Sequence, residues 1–267
     1  MPGDLDMSKK RLIPKLQLRV SSRNKQKMVL VITKQFGHVI EIGDPVSQAK
    51  IYQDQAADEL IFINIDKDEQ NIDKLASVIY KVSQEIFMPM TVGGGVKNEE
   101  HFRTLLANGA DKIAINTQAF KDPSLITKAS SRFGAQCVVV SIDFKQDASG
   151  KNAIYLNGGQ ENTNTDPVEW AIEAEKLGAG EILLTSIDHD GMRDGLNLDI
   201  TKRVAEAVSI PVISGGGCGL AKHFIEGFLI GKADAVTSGS FFAHRDQNLM
   251  QTRSHIKNAG VNIRVHT

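Results

Sequence analysis

The sequence predicts a single α/β domain spanning residues 1–267, a (βα)8 TIM barrel built from two duplicated half-barrels, and three observations carry that expectation. Short β-prone runs alternate with longer amphipathic stretches, the pattern of parallel strands joined by helical crossovers. Matching segments recur at one offset of 122 residues: from Glu59 to Glu181, from Asp44 to Asp166 and from Gly93 to Gly215. The likeness of all barrel strands would explain shared apolar character but not shared spacing. A length of 267 residues also suits one such barrel, with no linker or low-complexity tract inside it.

The elements follow in order. Residues 1–9 are polar and read as a flexible lead-in, without the apolar core of a signal peptide. Strands are expected at Arg11–Leu18, Glu59–Ile65, Met90–Val92, Lys112–Asn116, Cys137–Asp143, Glu181–Ile187, Val212–Ser214 and Ala235–Ser238. The stretch 19–42 is longer than a normal strand-to-helix connection. Its β-prone Met28-Val29-Leu30-Val31-Ile32 predicts a hairpin or flap over one end. Asp44-Pro45, Asp122-Pro123 and Asp166-Pro167 each offer an N-cap followed by a proline suited to the first helical turn. Gly109, Gly134 and Gly178 close helices ahead of the next strand.

Composition bounds the function. There are 31 basic and 32 acidic residues, a net charge of −1, so nothing recommends nucleic acid or an anionic membrane as the main partner. No apolar run approaches a membrane span, and none is expected to insert. Cys137 and Cys218 lack metal-ligand spacing and a secretory context, which points to a reduced, cytoplasmic protein with no metal. The reading calls for no cofactor.

Chemistry gathers at the strand ends. The triplets Gly93-Gly94-Gly95 and Gly215-Gly216-Gly217 end strands, where glycine lets backbone N–H groups approach phosphate oxygens. Asn116-Thr117 and Gly239-Ser240 follow one unit later in each half and add polar groups at helix starts. Tight turns alone are the bland alternative for either triplet, but their repetition predicts a phosphorylated small molecule held at both ends. Asp143 ends the fifth strand, while Asp188, Asp190 and Gly191 follow the sixth; Asp190 and Gly191 join the substrate-binding set. Rim carboxylates are this fold's usual acid/base groups, although an aspartate there also serves to order a loop. Symmetry places Gln17 opposite Asp143, and an amide carries no proton at neutral pH. Two opposed carboxylates are therefore not expected. At the other end, Arg11, Glu59, Lys112 and Glu181 start strands and predict two acid–base pairs at the barrel bottom.

Taken together, Lys10-Arg-Leu-Ile-Pro14, Gly43-Asp-Pro45, Thr91-Val-Gly-Gly-Gly95, Gly109-Ala-Asp-Lys112, Ile115-Asn-Thr117, Ser186-Ile-Asp-His-Asp-Gly191 and Ser214-Gly-Gly-Gly217 resemble the cyclase subunit of imidazole glycerol phosphate synthase. The similarity runs from about Lys9 to Arg264. It implies a barrel paired with a glutaminase subunit, whose ammonia crosses the barrel to a substrate bearing two phosphates. It implies a charged gate at Arg11, Glu59, Lys112 and Glu181, a catalytic Asp143, and phosphate ligands at Gly95, Asn116, Gly217 and Ser240. The family's other catalytic aspartate falls on Gln17 and a further rim aspartate on Asn64. That departure resembles paralogues of surface-polysaccharide (lipopolysaccharide) pathways, which work with a glutaminase and an N-acetyl-sugar amidotransferase to make acetamidino groups. The alternatives are an authentic cyclase of histidine biosynthesis, a non-catalytic scaffold that activates its glutaminase, and a related sugar-phosphate isomerase.

Overall fold

All eight expected barrel strands form, and they close on themselves. The computed structural model describes residues 9–66, 71–244 and 248–265, so the predicted lead-in lies outside it except for Lys9. The strands are β1 (Arg11–Val20), β2 (Met28–Ile32), β3 (Ile40–Gly43), β4 (Leu60–Asn64), β5 (Met90–Gly93), β6 (Lys112–Ile115), β7 (Val138–Gln146), β8 (Asn152–Leu156), β9 (Glu161–Asn162), β10 (Glu181–Ser186), β11 (Val212–Gly215) and β12 (Ala235–Ser238). Parallel pairing runs β1–β4–β5–β6–β7–β10–β11–β12 and returns from β12 to β1. Helices α1 (Pro45–Asp54), α2 (Asn71–Ser83), α3 (Glu99–Ala107), α4 (Thr117–Lys121), α5 (Ser124–Phe133), α6 (Pro167–Lys176), α7 (Leu198–Ala207), α8 (Ala221–Leu229), α9 (Ser240–Ala243) and α10 (Leu249–Asn258) lie between strands or after the last. Among the described residues no helix is long and apolar enough to cross a membrane.

Local signals act as expected at most helix ends. The Asp44 carboxylate accepts from Ser47 N and that of Asp166 from Val168 N, each ahead of a proline in the first turn. Asp122 departs by one residue: α5 begins at Ser124, whose N–H and hydroxyl donate to Asp122 Oδ1 at 3.2 and 2.6 Å.

Period-two alternation sorts each strand into an outer face under the helices and an inner face lining the barrel. The inner face carries Ile13, Ile61, Ala114, Val139, Leu183, Ile213 and Ala235, one from each barrel strand except β5. This aliphatic layer fills the middle of the barrel and separates its two polar ends.

Two antiparallel extensions rise above the C-terminal rim. The tail of β1 pairs with β2 and β2 with β3, which makes the predicted flap a hairpin seated on an overlong strand. The tail of β7 pairs with β8 and β8 with β9, a second hairpin in the matching place of the other half. Sequence patterning missed this one because Asp147–Lys151 and Asn157–Gln160 read as loop and hide the short run between them. The hairpins meet over the rim, where Phe36 packs against the cluster of Ala153, Tyr155 and Ile187.

Candidate functional site at the two ends of the barrel

At the N-terminal end the four charges predicted from strand starts form one closed ring. Arg11 Nη1 donates to Glu59 Oε2 at 2.9 Å, and Arg11 Nη2 pairs with Glu181 Oε1. Lys112 Nζ reaches Glu59 Oε2 at 3.0 Å and Glu181 Oε2 at 2.9 Å. Each residue stands two positions before a member of the aliphatic layer on the same inward face, so strand geometry alone stacks charge beneath hydrocarbon. Thr91 Oγ1 adds a hydrogen bond to Glu59 Oε1 at 2.6 Å. Both glutamates are buried, while Lys112 keeps 20% of its side chain exposed and remains the most accessible member. Burial opposes the Arg11 charge, but Glu181 and Glu59 outweigh it and hold the guanidinium above its ordinary value.

At the C-terminal rim a cavity of about 480 Å³ opens under the hairpins, bordered by Gln17, Gly94, Gly95, Asn116, Thr117 and Asp143. A small pocket of about 10 Å³ adjoins it, bordered by Gln17, Asp190, Gly191, Gly216, Gly217, Gly239 and Ser240. The structure therefore gathers the predicted rim residues into two neighbouring places, except for Gly93, Gly215 and Asp188. Gly93 borders neither: it lies within β5, where a Cβ would come within 2.7 Å of Ala114, so its lack of a side chain serves packing.

The triplets are duplicated in their contacts as well as their spelling. Gly94 and Gly216 have φ of +94° and +87°, and a Cβ on them would meet Asn64 O at 1.9 Å and Ser186 O at 2.4 Å. Asn64 and Ser186 are themselves 122 residues apart. Asn116 and Gly239 precede the short helices α4 and α9 in the same way. Gly191 plays a different part, because a Cβ there would lie 2.1 Å from Thr33 O, where the flap sits down.

Asp143 lines the large cavity and is partly buried, with Asn116 Nδ2 donating to its Oδ2 at 2.6 Å. Desolvation pushes its carboxyl up to about 7, against the opposing pull of Lys15 and the Asn116 hydrogen bond; the Asp190 charge adds to the rise. At neutral pH it is poised to give or take a proton. Gln17 faces the rim as predicted, and its amide binds the flap: Nε2 donates to Thr33 Oγ1 at 3.1 Å. Thr33 Oγ1 in turn donates to Asp190 Oδ2 at 2.7 Å.

Gln17, an amide, holds the position across from Asp143, as expected. The charge of Asp190, on the turn that follows β10, adds a small rise to the Asp143 carboxyl. Asp188 orders a loop, its Oδ2 accepting from Gln146 N at 2.9 Å. Sequence reasoning also missed Lys15, whose Nζ lies 3.6 Å from Asp190 Oδ1, and Thr33. Counting inward positions along β1 as 11, 13, 15 and 17 would have found Lys15; nothing local marks Thr33.

The pattern of the histidine biosynthesis protein family matches residues 11–248. A protein of Prochlorococcus marinus strain MIT 9313, provisionally named imidazole glycerol phosphate synthase subunit hisF2, is 45% identical over 97% of this chain and 99% of its own. The imidazole glycerol phosphate synthase subunits HisF of Geobacillus kaustophilus strain HTA426 and Alkaliphilus metalliredigens strain QYMF are 42% and 40% identical, over 97% of this chain and the whole of theirs. With the barrel, the doubled glycine triplets and end-to-end similarity agreeing, the chain belongs to the histidine biosynthesis protein family, and within it to the HisF type.

Proposed function

We propose that this chain is the ammonia-using subunit of an imidazole glycerol phosphate synthase-type assembly. A HisH-like glutaminase docks at the N-terminal end, ammonia passes the ring of Arg11, Glu59, Lys112 and Glu181, and a phosphorylated substrate receives it at the rim. The ring, stacked directly beneath an aliphatic layer, supports this reading: a small neutral molecule crosses hydrocarbon at little cost, whereas ions do not. The glycine cradles at Gly95 with Asn116 and at Gly217 with Ser240 would hold the phosphates, and Asp143 would exchange the proton.

Within that assembly we assign the acceptor as an N-acetyl sugar amidinated for surface polysaccharide, with a sugar amidotransferase as third partner. The observation that carries the assignment is Gln17, a group unable to move a proton, whose amide is engaged with the flap. A second reading, the cyclase of histidine biosynthesis, is favoured by one observation: Asp190 stands at the same rim and its charge acts on Asp143, so a second carboxylate is present there.

Turnover separates the two. Purified chain given ammonium and the bisphosphorylated imidazole precursor is expected to show negligible cyclase activity, with at most a trace after Gln17→Asp. Robust activity in the unmodified chain, abolished by Asp143→Asn, would return it to histidine biosynthesis. Co-purification with a glutaminase, weakened by charge reversal at Lys112, tests the docking end.

A further inference from the structure

Strand β1 brings one more charged side chain to the rim. Lys15 follows Arg11 and Ile13 on the inward face, and its side chain is only 7% exposed. It borders both the large cavity and the small pocket of the second triplet. Apart from Lys15, that pocket offers neutral groups and the Asp190 carboxylate. A phosphate dianion placed against Gly217 and Ser240 would meet repulsion from Asp190 in a low-dielectric setting, where charge pairs count for more than in water. The cradle therefore needs a cation, and Lys15 is the one among its lining residues.

The existing pair leaves Lys15 available. Its Nζ is 3.6 Å from Asp190 Oδ1, whereas a committed charge-assisted hydrogen bond closes to about 2.7–2.9 Å. Asp190 meanwhile has a stronger partner in the Thr33 hydroxyl at 2.7 Å. The free volume of about 10 Å³ admits roughly one water, so an entering phosphate must displace the side chain beside it.

We infer that Lys15 is a specificity-determining residue of the rim: Asp190 holds its ammonium in reserve, and it transfers to a phosphate monoester dianion entering between Gly217 and Ser240. Asp190 is then left to the flap hydroxyl. This rests on reading that cradle as a phosphate site, and it adds the group that makes the site selective for a dianion and the carboxylate exchanged on binding. The large cavity that Gly95 borders is also lined by Arg19 and Lys97.

The test uses the full chain, with inorganic phosphate and glycerol phosphate as probes. Crystals of wild type and Lys15→Met are soaked in phosphate, and affinities are measured by calorimetry at pH 8, where the dianion prevails. Wild type is expected to show phosphate at both cradles. Lys15→Met should lose it between Gly217 and Ser240 and keep it at Gly95 and Asn116, with affinity at the lost site down roughly 10- to 100-fold. Lys15→Arg should stay within a few-fold of wild type, and Asp190→Asn should tighten binding, more so while Lys15 is present, because it both removes the repulsion and frees the ammonium. Thermal unfolding confirms that each variant is folded. If Lys15→Met binds at Gly217 as wild type does, or Lys15→Arg loses as much as Lys15→Met, the assignment of Lys15 is overturned while the cradle stands. If wild type takes phosphate at neither cradle, the cradle reading itself falls, and this inference with it.

Discussion

Replacing Asp143 with Asn should stabilise this protein in alkaline solution while removing the rim carboxyl that titrates near neutrality. Burial pushes the Asp143 carboxyl from 3.8 up to about 7, so the folded chain holds this proton more tightly than the unfolded one. Between pH 4 and 7 unfolding releases the proton, and wild-type stability falls as the pH rises; above 7 the loss is complete. Fully realised, the difference amounts to ~4 kcal/mol. Because Asp143 is only partly buried and borders the open cavity, solvent screening discounts the expected loss to ~2–3 kcal/mol. Asparagine is never charged, and its side-chain carbonyl can still accept from Asn116 Nδ2, so the variant escapes this loss. At roughly 2 °C per kcal/mol for a chain of this size, the two melting temperatures should nearly coincide near pH 4.5 and stand about 5 °C apart at pH 8.5. Unfolding by heat or urea across that range, followed by circular dichroism, reads the gap directly. Titrating groups remote from Asp143 affect both proteins alike and cancel in the comparison. A gap independent of pH would show that desolvation of Asp143 is not what sets its proton affinity.

Three further outcomes follow from contacts described above. Lys112→Ala leaves Glu59 and Glu181 to share Arg11; it should cost ~1–3 kcal/mol in urea unfolding, discounted for the exposure of Lys112, and uncouple glutamine hydrolysis from product formation in the assembled complex. Gly216→Ala drives a Cβ to 2.4 Å from Ser186 O and should cost more than ~2 kcal/mol, whereas Gly95→Ala meets only Ile72 Cδ1 at 3.8 Å and should cost ~1 kcal/mol for its left-handed backbone; equal costs in urea would refute the packing argument. Thr33→Val removes the hydroxyl shared by Gln17 and Asp190, so amide hydrogen exchange across β2 and β3 should quicken several-fold while the barrel strands keep their protection.

The barrel was legible because its information is local and repeated. Inward apolar positions, Asp-Pro caps and closing glycines each act within a few residues, and the common offset turned two half-readings into one fold. The charged ring was legible too, since a strand's first inward residue has nowhere to point but the barrel bottom. The rim was harder to read. Gln17 was visible as an amide where a carboxylate was expected, but its engagement by Thr33 depends on how the flap folds back. Asp190 was visible as a strand-end acid, yet its action on Asp143 depends on β7 and β10 being neighbours in the closed sheet. Lys15 sits in plain sequence, and only the inward count along β1 separates it from a surface lysine. The hairpin of β8 and β9 was hidden because its turns carry more signal than its strands.

The flap also acts as a structural member of the rim. Thr33 arrives on the hairpin that begins beyond β1, while the carboxylate it binds belongs to a segment more than half a chain away. Gln35 N reinforces the seat by donating to Asp190 O at 2.8 Å, and Gln35 Nε2 to Asp188 O at 2.9 Å. Lifting this one hairpin strips Asp190 of its hydroxyl donor and frees the Gln17 amide. One hairpin thus carries both the hydroxyl held by Asp190 and the partner of the Gln17 amide, and a protease cut within the flap is expected to loosen these rim contacts while leaving every barrel strand in place.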